Sequence, residues 1–403
     1  MAVGPDSFGP VASVAGVLAA TASAGVRRAN RPDVVLFRFD EGTTCAATFT
    51  RNAFCAAPVL VAKEHLTRCS PRAFLINSGN ANAGTGPAGL KAARVCCEAV
   101  AGALGCQPEA VLPFSTGVIG EQLPAERIAA VVPRLVVDLS ADGWGDAAKG
   151  IMTTDTRPKG ATRHVRVGEH TVTLSGIAKG AGMIRPDMAT MLAFLATDAA
   201  VSSDDLQKAL EDAVEVSFNR ISVDGDTSTN DACAIAATGK AAALRSGGPG
   251  WSEFNRALKE VCVELAQAIV RDGEGATKFI TVAVHGARDQ SEARQVADTI
   301  TQSPLVKTAF FASDPNWGRI LAAVGRAGIP ELDISGVSLQ LDDVPVVTDG
   351  MPDSAYCESR GQSVMNRDEI TVRIDLGRGD AVTTVWTCDL SYDYVRINAD
   401  YRT

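Results

Sequence analysis

The hydrophobic and polar positions along the chain alternate between two periods. Val34-Val-Leu-Phe-Arg-Phe39 and Thr48 to Thr50 read as strands, and Phe74-Leu-Ile76 is a short buried strand that opens into an Asn- and Gly-rich loop. Ala88 to Leu104 has helical composition and period. Pro124 to Leu139 carries an apolar stripe of Ile128, Val131, Val132 and Leu135, with Pro133 expected to kink or end the helix. His164 to Ser175 alternates like a hairpin turning at Gly168-Glu169, and Met191, Leu192, Phe194 and Leu195 form an apolar strand-like run. Ser203 is the expected N-cap of a helix that buries Leu206, Leu210 and Val214. Trp251 to Val270 is a long helix with Phe254, Leu258, Val261, Leu265 and Ile269 on one face. A strand at Phe279 to His285 and a helix at Glu292 to Ile300 follow. Val337 to Val347 and Ile370 to Leu390 alternate as antiparallel strands, turning at Asp342-Asp343 and at Gly377 to Asp380. Strands and helices interleave throughout, so the class is α/β.

At 403 residues the chain exceeds one small core, and two or three lobes are expected. Apolar residues at 46% and charged residues at 21% argue for a folded chain rather than a disordered one. A net charge of -9 gives no reason to expect a nucleic acid or an anionic membrane as partner. No uninterrupted apolar run reaches the roughly 18 residues of a membrane span. The ten cysteines form no C-x-x-C pair, and the four histidines are scattered, which predicts reduced thiols in a cytoplasmic setting and no metal site. Phe8 to Gly25 is small and apolar, but its positive residues (Arg27, Arg28, Arg31) follow it rather than precede it, so it reads as mature chain.

The most unusual stretch is Lys179-Gly-Ala-Gly-Met-Ile-Arg-Pro-Asp-Met-Ala-Thr-Met-Leu192. Gly180 and Gly182 relieve the backbone where another group approaches closely. Ala189-Thr190 sets a hydroxyl directly after a residue too small to shield the peptide carbonyl before it. Attack by that hydroxyl on the Ala189 carbonyl would cut the chain and leave Thr190 as a new N-terminus. Its α-amine, with a reference pKa of about 7.7–8.0, would then serve as base for its own hydroxyl. Taken alone, a Gly-rich loop before an apolar strand is more often an ordinary turn, and no phosphate-binding glycine spacing is present.

The stretch resembles the self-cleavage segment of the ornithine acetyltransferase family (glutamate N-acetyltransferases). Further motifs stand in the family's order: Thr50-Arg-Asn-Ala-Phe-Cys-Ala-Ala-Pro-Val59, Phe74 to Gly84, Leu112-Pro-Phe-Ser-Thr-Gly-Val-Ile-Gly120, Ile151-Met-Thr-Thr-Asp-Thr156, Asn219 to Asp231, Asp272 to Lys278, Phe311 to Arg319 and the tail Tyr394 to Thr403. The resemblance covers about Phe8 to Thr403. By spacing alone, Ser115-Thr-Gly117 is a tight turn and Glu274 between glycines is a solvated acid. The resemblance gives them, and others, functional roles. It implies cleavage between Ala189 and Thr190, with Thr190 the nucleophile. Thr116 (hydroxyl) and Gly117 (backbone N–H) would be the oxyanion donors. Thr154, Lys179, Glu274, Asn398 and Thr403 would be substrate contacts, with Thr153 nearly as good a choice as Thr154. The acidic loop Asp224, Asp226, Asp231 lacks calcium-loop spacing and is expected to shape the cleft.

The implied fold is a layered α/β sandwich resembling N-terminal-nucleophile hydrolases but differently connected. The α chain is 1–189. The β chain is 190–403, with the catalytic region reaching to about 285 and a smaller C-terminal α/β lobe over about 286–403. The implied activity moves the acetyl group from N2-acetyl-L-ornithine to L-glutamate through a Thr190 acetyl-enzyme, in arginine biosynthesis. It needs no metal or organic cofactor and is carried by an (αβ)2 or higher assembly. Three alternatives stay open: a threonine-nucleophile amidohydrolase or aminopeptidase, a secondary-pathway acyltransferase, and an uncleaved binding protein. The motifs do not decide whether acetyl-CoA is also a donor.

Overall fold

The computed structural model describes residues 3, 4, 9, 11–185 and 191–400. The chain runs through β1 (Val17–Ala22), β2 (Val34–Phe39), β3 (Thr44–Phe49), α1 (Ala57–Leu66), β4 (Ala73–Asn80), α2 (Gly86–Leu104), β5 (Val111–Val118), α3 (Ala125–Val137) and α4 (Trp144–Gly150). It continues through β6 (Lys159–Val167), β7 (His170–Lys179), β8 (Leu192–Thr197), α5 (Ser203–Glu215), β9 (Ile221–Ser222), β10 (Ala232–Ala237) and α6 (Trp251–Arg271). Two compact units result. One comprises 7–219 and 226–269; the other comprises 1–6, 220–225 and 270–403.

The larger unit holds two sheets, ordered β1-β2-β4-β5 and β3-β10-β8-β7-β6. Strand β2 is apolar at nearly every position because both of its faces are covered. Val35, Phe37 and Phe39 point into the core shared with the second sheet, whereas Val34 and Leu36 meet helices. The shared core is aromatic. Phe74 lies edge-on to Phe39 at 4.7 Å and to Phe114 at 5.4 Å, and Phe114 meets Phe194 at 4.9 Å. Each such pair contributes about 0.5–1.5 kcal/mol beyond its buried area. Strand β10 faces these rings with Ala232, Ala234 and Ala236, small enough to admit them. Helices α1 to α3 cover the outer face of the first sheet through Val61, Cys97, Val100, Ile128, Val132 and Leu135. On the second sheet α5 packs against β3, and Leu265 of α6 reaches Leu195 over Gly176. The order of layers is helix, sheet, sheet, helix, which is the expected α/β sandwich.

The smaller unit contains β11 (Phe279–Ala287), α7 (Gln290–Thr301), α8 (Pro304–Phe311), α9 (Trp317–Gly325), β12 (Ser338–Leu341), β13 (Val344–Thr348), β14 (Met351–Pro352), α10 (Glu358–Met365), β15 (Glu369–Asp375), β16 (Ala381–Cys388) and α11 (Tyr392–Ala399). Its sheet runs β14-β13-β12-β15-β11-β16-β9, with its own core of Val282, Val284, Val296, Phe310, Leu339, Val372 and Val385 among others. This unit takes in the chain from Val270 rather than from about 286, because β11 is an interior strand of its sheet.

Most local expectations hold. The β6–β7 hairpin pairs Val167 with His170 across Gly168-Glu169, and β12 and β13 pair across Asp342-Asp343. Three differ. Helix α3 continues past Pro133 to Val137, since the stripe Ile128, Val132, Leu135 stays buried beyond the proline. The N-cap of α5 is Ser202, not Ser203, and its hydroxyl accepts from Asp205 N–H at 3.2 Å. Finally, β15 and β16 are not hairpin partners: β11 lies between them, parallel to β15 and antiparallel to β16.

Candidate active site

In the larger unit the carboxyl end of β5 carries Thr116 and Gly117. Strand β5 runs parallel to β4, and Gly117 stands opposite Gly79. Gly117 has φ +134°, and a Cβ there would lie 2.3 Å from Gly79 C and 2.5 Å from Asn80 N. Only glycine allows the two backbones to come this close. The Asn-rich loop after β4 is held by its own amides: Asn77 Nδ2 donates to Asn80 O at 2.8 Å, and Asn82 Nδ2 donates to Gly89 O at 2.9 Å. Asn230, just before β10, ties this loop to β5. Its Nδ2 donates to Ala81 O at 2.6 Å and to Ser115 O at 2.9 Å, the carbonyl immediately before Thr116.

Lys179 ends β7, is 4% exposed, and donates from Nζ to Thr116 Oγ1 at 3.3 Å. An ammonium has no lone pair, so the threonine oxygen must be the acceptor. The hydroxyl proton of Thr116 is thereby left to donate elsewhere. Asp155 anchors this corner. Its Oδ1 accepts from Lys159 Nζ and from Gly180 N–H, both at 2.7 Å, and its Oδ2 accepts from Thr153 N–H at 3.0 Å. Burial pushes this carboxyl up, but the Lys159 and Lys179 ammoniums overcome that and hold it well below the usual range. Asp155 is therefore a carboxylate, and it fixes the first residue of the Gly-rich turn after Lys179.

Asp231 behaves in the opposite way. It is 1% exposed, and neither carboxyl oxygen has a hydrogen-bond partner among the described residues. The Ser228 hydroxyl and the Met191 and Ser228 amides lie near enough to pull its pKa down, but none completes a hydrogen bond to it in distance and angle. Burial raises its pKa well above the ordinary value, opposed in part by Ser228 and Lys179.

In the smaller unit, Asn398 of α11 donates from Nδ2 to Glu274 Oε2 at 2.7 Å, joining two of the expected substrate contacts. The loop that presents Glu274 is built for this tail. Gly275 has φ +71°, and a Cβ there would stand 2.6 Å from Ser391 Oγ and Tyr394 N. Ser391 Oγ donates to Gly275 O at 2.7 Å. Asp389 accepts from Thr277 N–H at 2.8 Å, Thr277 Oγ1 at 2.6 Å and Lys278 N–H at 2.9 Å. Tyr394 OH donates to Asp224 Oδ2 at 3.2 Å.

Ala189, Thr190 and Thr403 lie outside the described residues. Thr154 is half-buried beside Asp155, and of the Thr153/Thr154 pair it is Thr153 whose backbone bonds that carboxylate. Sequence reasoning missed Asp155, Lys159, Asn230 and Asp389. Only the four-residue spacing of Asp155 and Lys159 offered a signal, and their segment is not a helix. Among the described residues no group of three His, Cys, Asp or Glu could hold a metal ion, and no helix is long and apolar enough to cross a membrane. All ten cysteines are free thiols, and burial pushes Cys388 up to about 11.

Comparison with known proteins points to one family. The model of the ArgJ family matches residues 18–403. The arginine biosynthesis bifunctional protein ArgJ of Methylococcus capsulatus is 59% identical over 392 residues, covering 97% of this chain and 96% of the relative. Among solved structures, ArgJ of Bacillus halodurans is 40% identical, covering 51% of this chain and 97% of that chain with a TM-score of 0.49. The ornithine acetyltransferase of Mycobacterium tuberculosis, solved with ornithine, is 35% identical, covering 44% of this chain and 94% of that chain with a TM-score of 0.39. With a family match over nearly its whole length, this chain belongs to the ArgJ family.

Proposed function

We propose that the protein is the acetyltransferase of arginine biosynthesis that moves acetyl from N2-acetyl-L-ornithine to L-glutamate after cutting itself between Ala189 and Thr190. The Thr190 hydroxyl attacks the N-acetyl carbonyl carbon while the Thr190 α-amine takes its proton. The resulting oxyanion accepts hydrogen bonds from the Thr116 hydroxyl and the Gly117 N–H. Collapse breaks the C–N bond, the ornithine amine leaves with the proton, and an acetyl ester remains on Thr190. The glutamate amine attacks that ester through a second oxyanion held in the same way; its collapse breaks the ester C–O bond, the proton lost by the glutamate amine returns to the Thr190 oxygen through the Thr190 α-amine, and N-acetyl-L-glutamate leaves. Lys179 and Glu274, with Thr154, Asn398 and Thr403, grip the amino-acid ends of the substrates: the lysine suits a carboxylate and the glutamate an ammonium. The α chain (1–189) and β chain (190–403) stay together in an (αβ)2 or higher assembly in the cytoplasm.

The observation that carries this reading is the Lys179–Thr116 bond. It leaves a buried threonine hydroxyl with its proton directed away from the lysine, beside a glycine that nothing larger could replace. The test is direct. On a denaturing gel the purified protein should run as two chains of 189 and 214 residues, the second beginning at Thr190. Thr190→Ala should stay whole and transfer no acetyl group. A single uncut chain with full transferase activity would overturn the proposal. Assays with acetylornithine and acetyl-CoA as alternative donors separate a monofunctional enzyme from a bifunctional one.

A further inference from the structure

Buried acids in this protein are matched to donors. Asp33 accepts from the backbone N–H groups of Ala24 and Val26 at 2.7 and 2.6 Å, and Asp198 accepts from Thr173 N–H at 2.8 Å. Asp155 has a lysine and two amides. Asp231 is buried more deeply than Asp33 or Asp198 and, among the described residues, has no partner for either oxygen. Its backbone is pinned on both sides, so the side chain cannot escape by a local shift. Asp231 O accepts from Thr50 N–H at 2.9 Å, and the next residue, Ala232, donates to Met191 O at 3.2 Å. An unpaired carboxylate in such a place costs several kcal/mol, and the group takes up a proton instead. Natural cores rarely keep an unsatisfied group without a use for it.

The surroundings indicate the use. Among the described residues, the titratable groups that act with Asp231 are Lys179, from the end of β7, and the half-buried Cys55 thiol, from the segment before α1. Lys63 of α1 acts on Cys55, and Asp155 acts with Lys179. Lys179 is the residue that bonds Thr116. Lys179 at the end of β7 and Ala232 at the start of β10 both stand opposite Leu192 of β8, so Asp231 and Lys179 flank the same end of that strand. A negative charge on Asp231 would therefore compete with Thr116 Oγ1 for the Lys179 ammonium. We infer that Asp231 is a positioning residue held as an uncharged acid, and that its proton keeps Lys179 on Thr116 instead of on a second carboxylate. This rests on the proposed oxyanion role of Thr116. Losing the proton at alkaline pH releases Thr116 from its orienting bond, so acetyl transfer falls in kcat and not through KM.

The sign of the stability effect follows by linkage. The folded protein binds this proton more tightly than the unfolded chain, whose value is near 3.8. Stability is therefore lost as pH rises from about 4 toward the raised folded value. The test uses the full chain with Asp231→Asn, which has the same shape and cannot ionise. The variant should melt higher than wild type at pH 8, and the gap should shrink as pH falls toward 4. The wild-type kcat should fall at alkaline pH, and the variant's should lack that fall. Infrared difference spectra, wild type minus variant at pH 7, should contain the C=O band of a protonated carboxyl. A variant that melts lower at pH 8, an unchanged alkaline limb, or a carboxylate band in place of the acid band overturns the inference. The melting and infrared measurements need no substrate. If acetyl transfer itself is absent, the proposed function fails while these two still decide the state of Asp231.

Discussion

Replacing Gly117 by alanine tests whether the close backbone approach at the end of β5 is what aims the oxyanion donors. The added methyl would stand 2.3 Å from Gly79 C, 2.5 Å from Asn80 N and 2.7 Å from Gly79 Cα, all well inside the roughly 3.5–4.0 Å of a comfortable carbon contact. These are backbone atoms of β4, a strand with helices on one face and the second sheet on the other, so they cannot retreat. The φ of +134° adds a conformational cost of about 1–3 kcal/mol. Forcing a methyl into a packed site adds about 1–3 kcal/mol more. The total, about 2–6 kcal/mol, is a large part of the ~5–15 kcal/mol that stabilises a typical domain. The least costly relief is to open the pairing of Gly79 with Gly117, which displaces the Gly117 N–H and tilts Thr116. Thermal melting followed by steady-state kinetics reads both consequences. Tm should fall by roughly 2–4 °C for each kcal/mol. Loss of alignment at one oxyanion donor should lower kcat by about 10²–10³ with little change in KM. A variant with wild-type Tm and wild-type kcat would refute both the strain and the role assigned to this turn.

Other outcomes follow from the same corner. Asn230→Ala removes the donors to Ala81 O and Ser115 O, each worth about 1–3 kcal/mol as an unsatisfied buried carbonyl; chemical denaturation should show the loss, and kcat should fall more than KM rises. Asp155→Asn breaks a fully buried ion pair and should cost about 3–5 kcal/mol at pH 7. Because the folded carboxyl sits below its unfolded value of 3.8, that contribution is present above about pH 4 and lost as pH falls further, so the two denaturation curves should converge in acid; a constant gap down to pH 2 would count against an ionised Asp155.

Elements whose identity depends on neighbours within a few residues were legible from the sequence. The β6–β7 hairpin is one, since alternation on both sides of Gly168-Glu169 leaves a single pairing that buries Val165, Val172 and Leu174. The long stripe of α6 is another, and so are the motifs that identify the family. Local pattern also misled. It allowed Pro133 to end the helix as well as to kink it, although the cost of a missing N–H is offset once the stripe is buried on both sides of it. It also joined β15 to β16, because a short turn in the chain does not reveal that β11 occupies the place between them.

The working details depended on residues far apart in the chain. Asn398 meets Glu274 from 124 positions away, Lys179 meets Thr116 from 63, and Asn230 reaches Ser115 from 115. The chain itself carried the hydroxyl, the glycines and the carboxylates, and therefore the kind of chemistry available. It could not state which carboxylate is charged. Asp155 and Asp231 are the same residue type in similarly polar segments, yet one accepts from a lysine and two amides, while for the other burial outweighs what Ser228 and Lys179 offer. Protonation follows from the free energy of the surroundings, and those surroundings exist only after strands distant in sequence have come together.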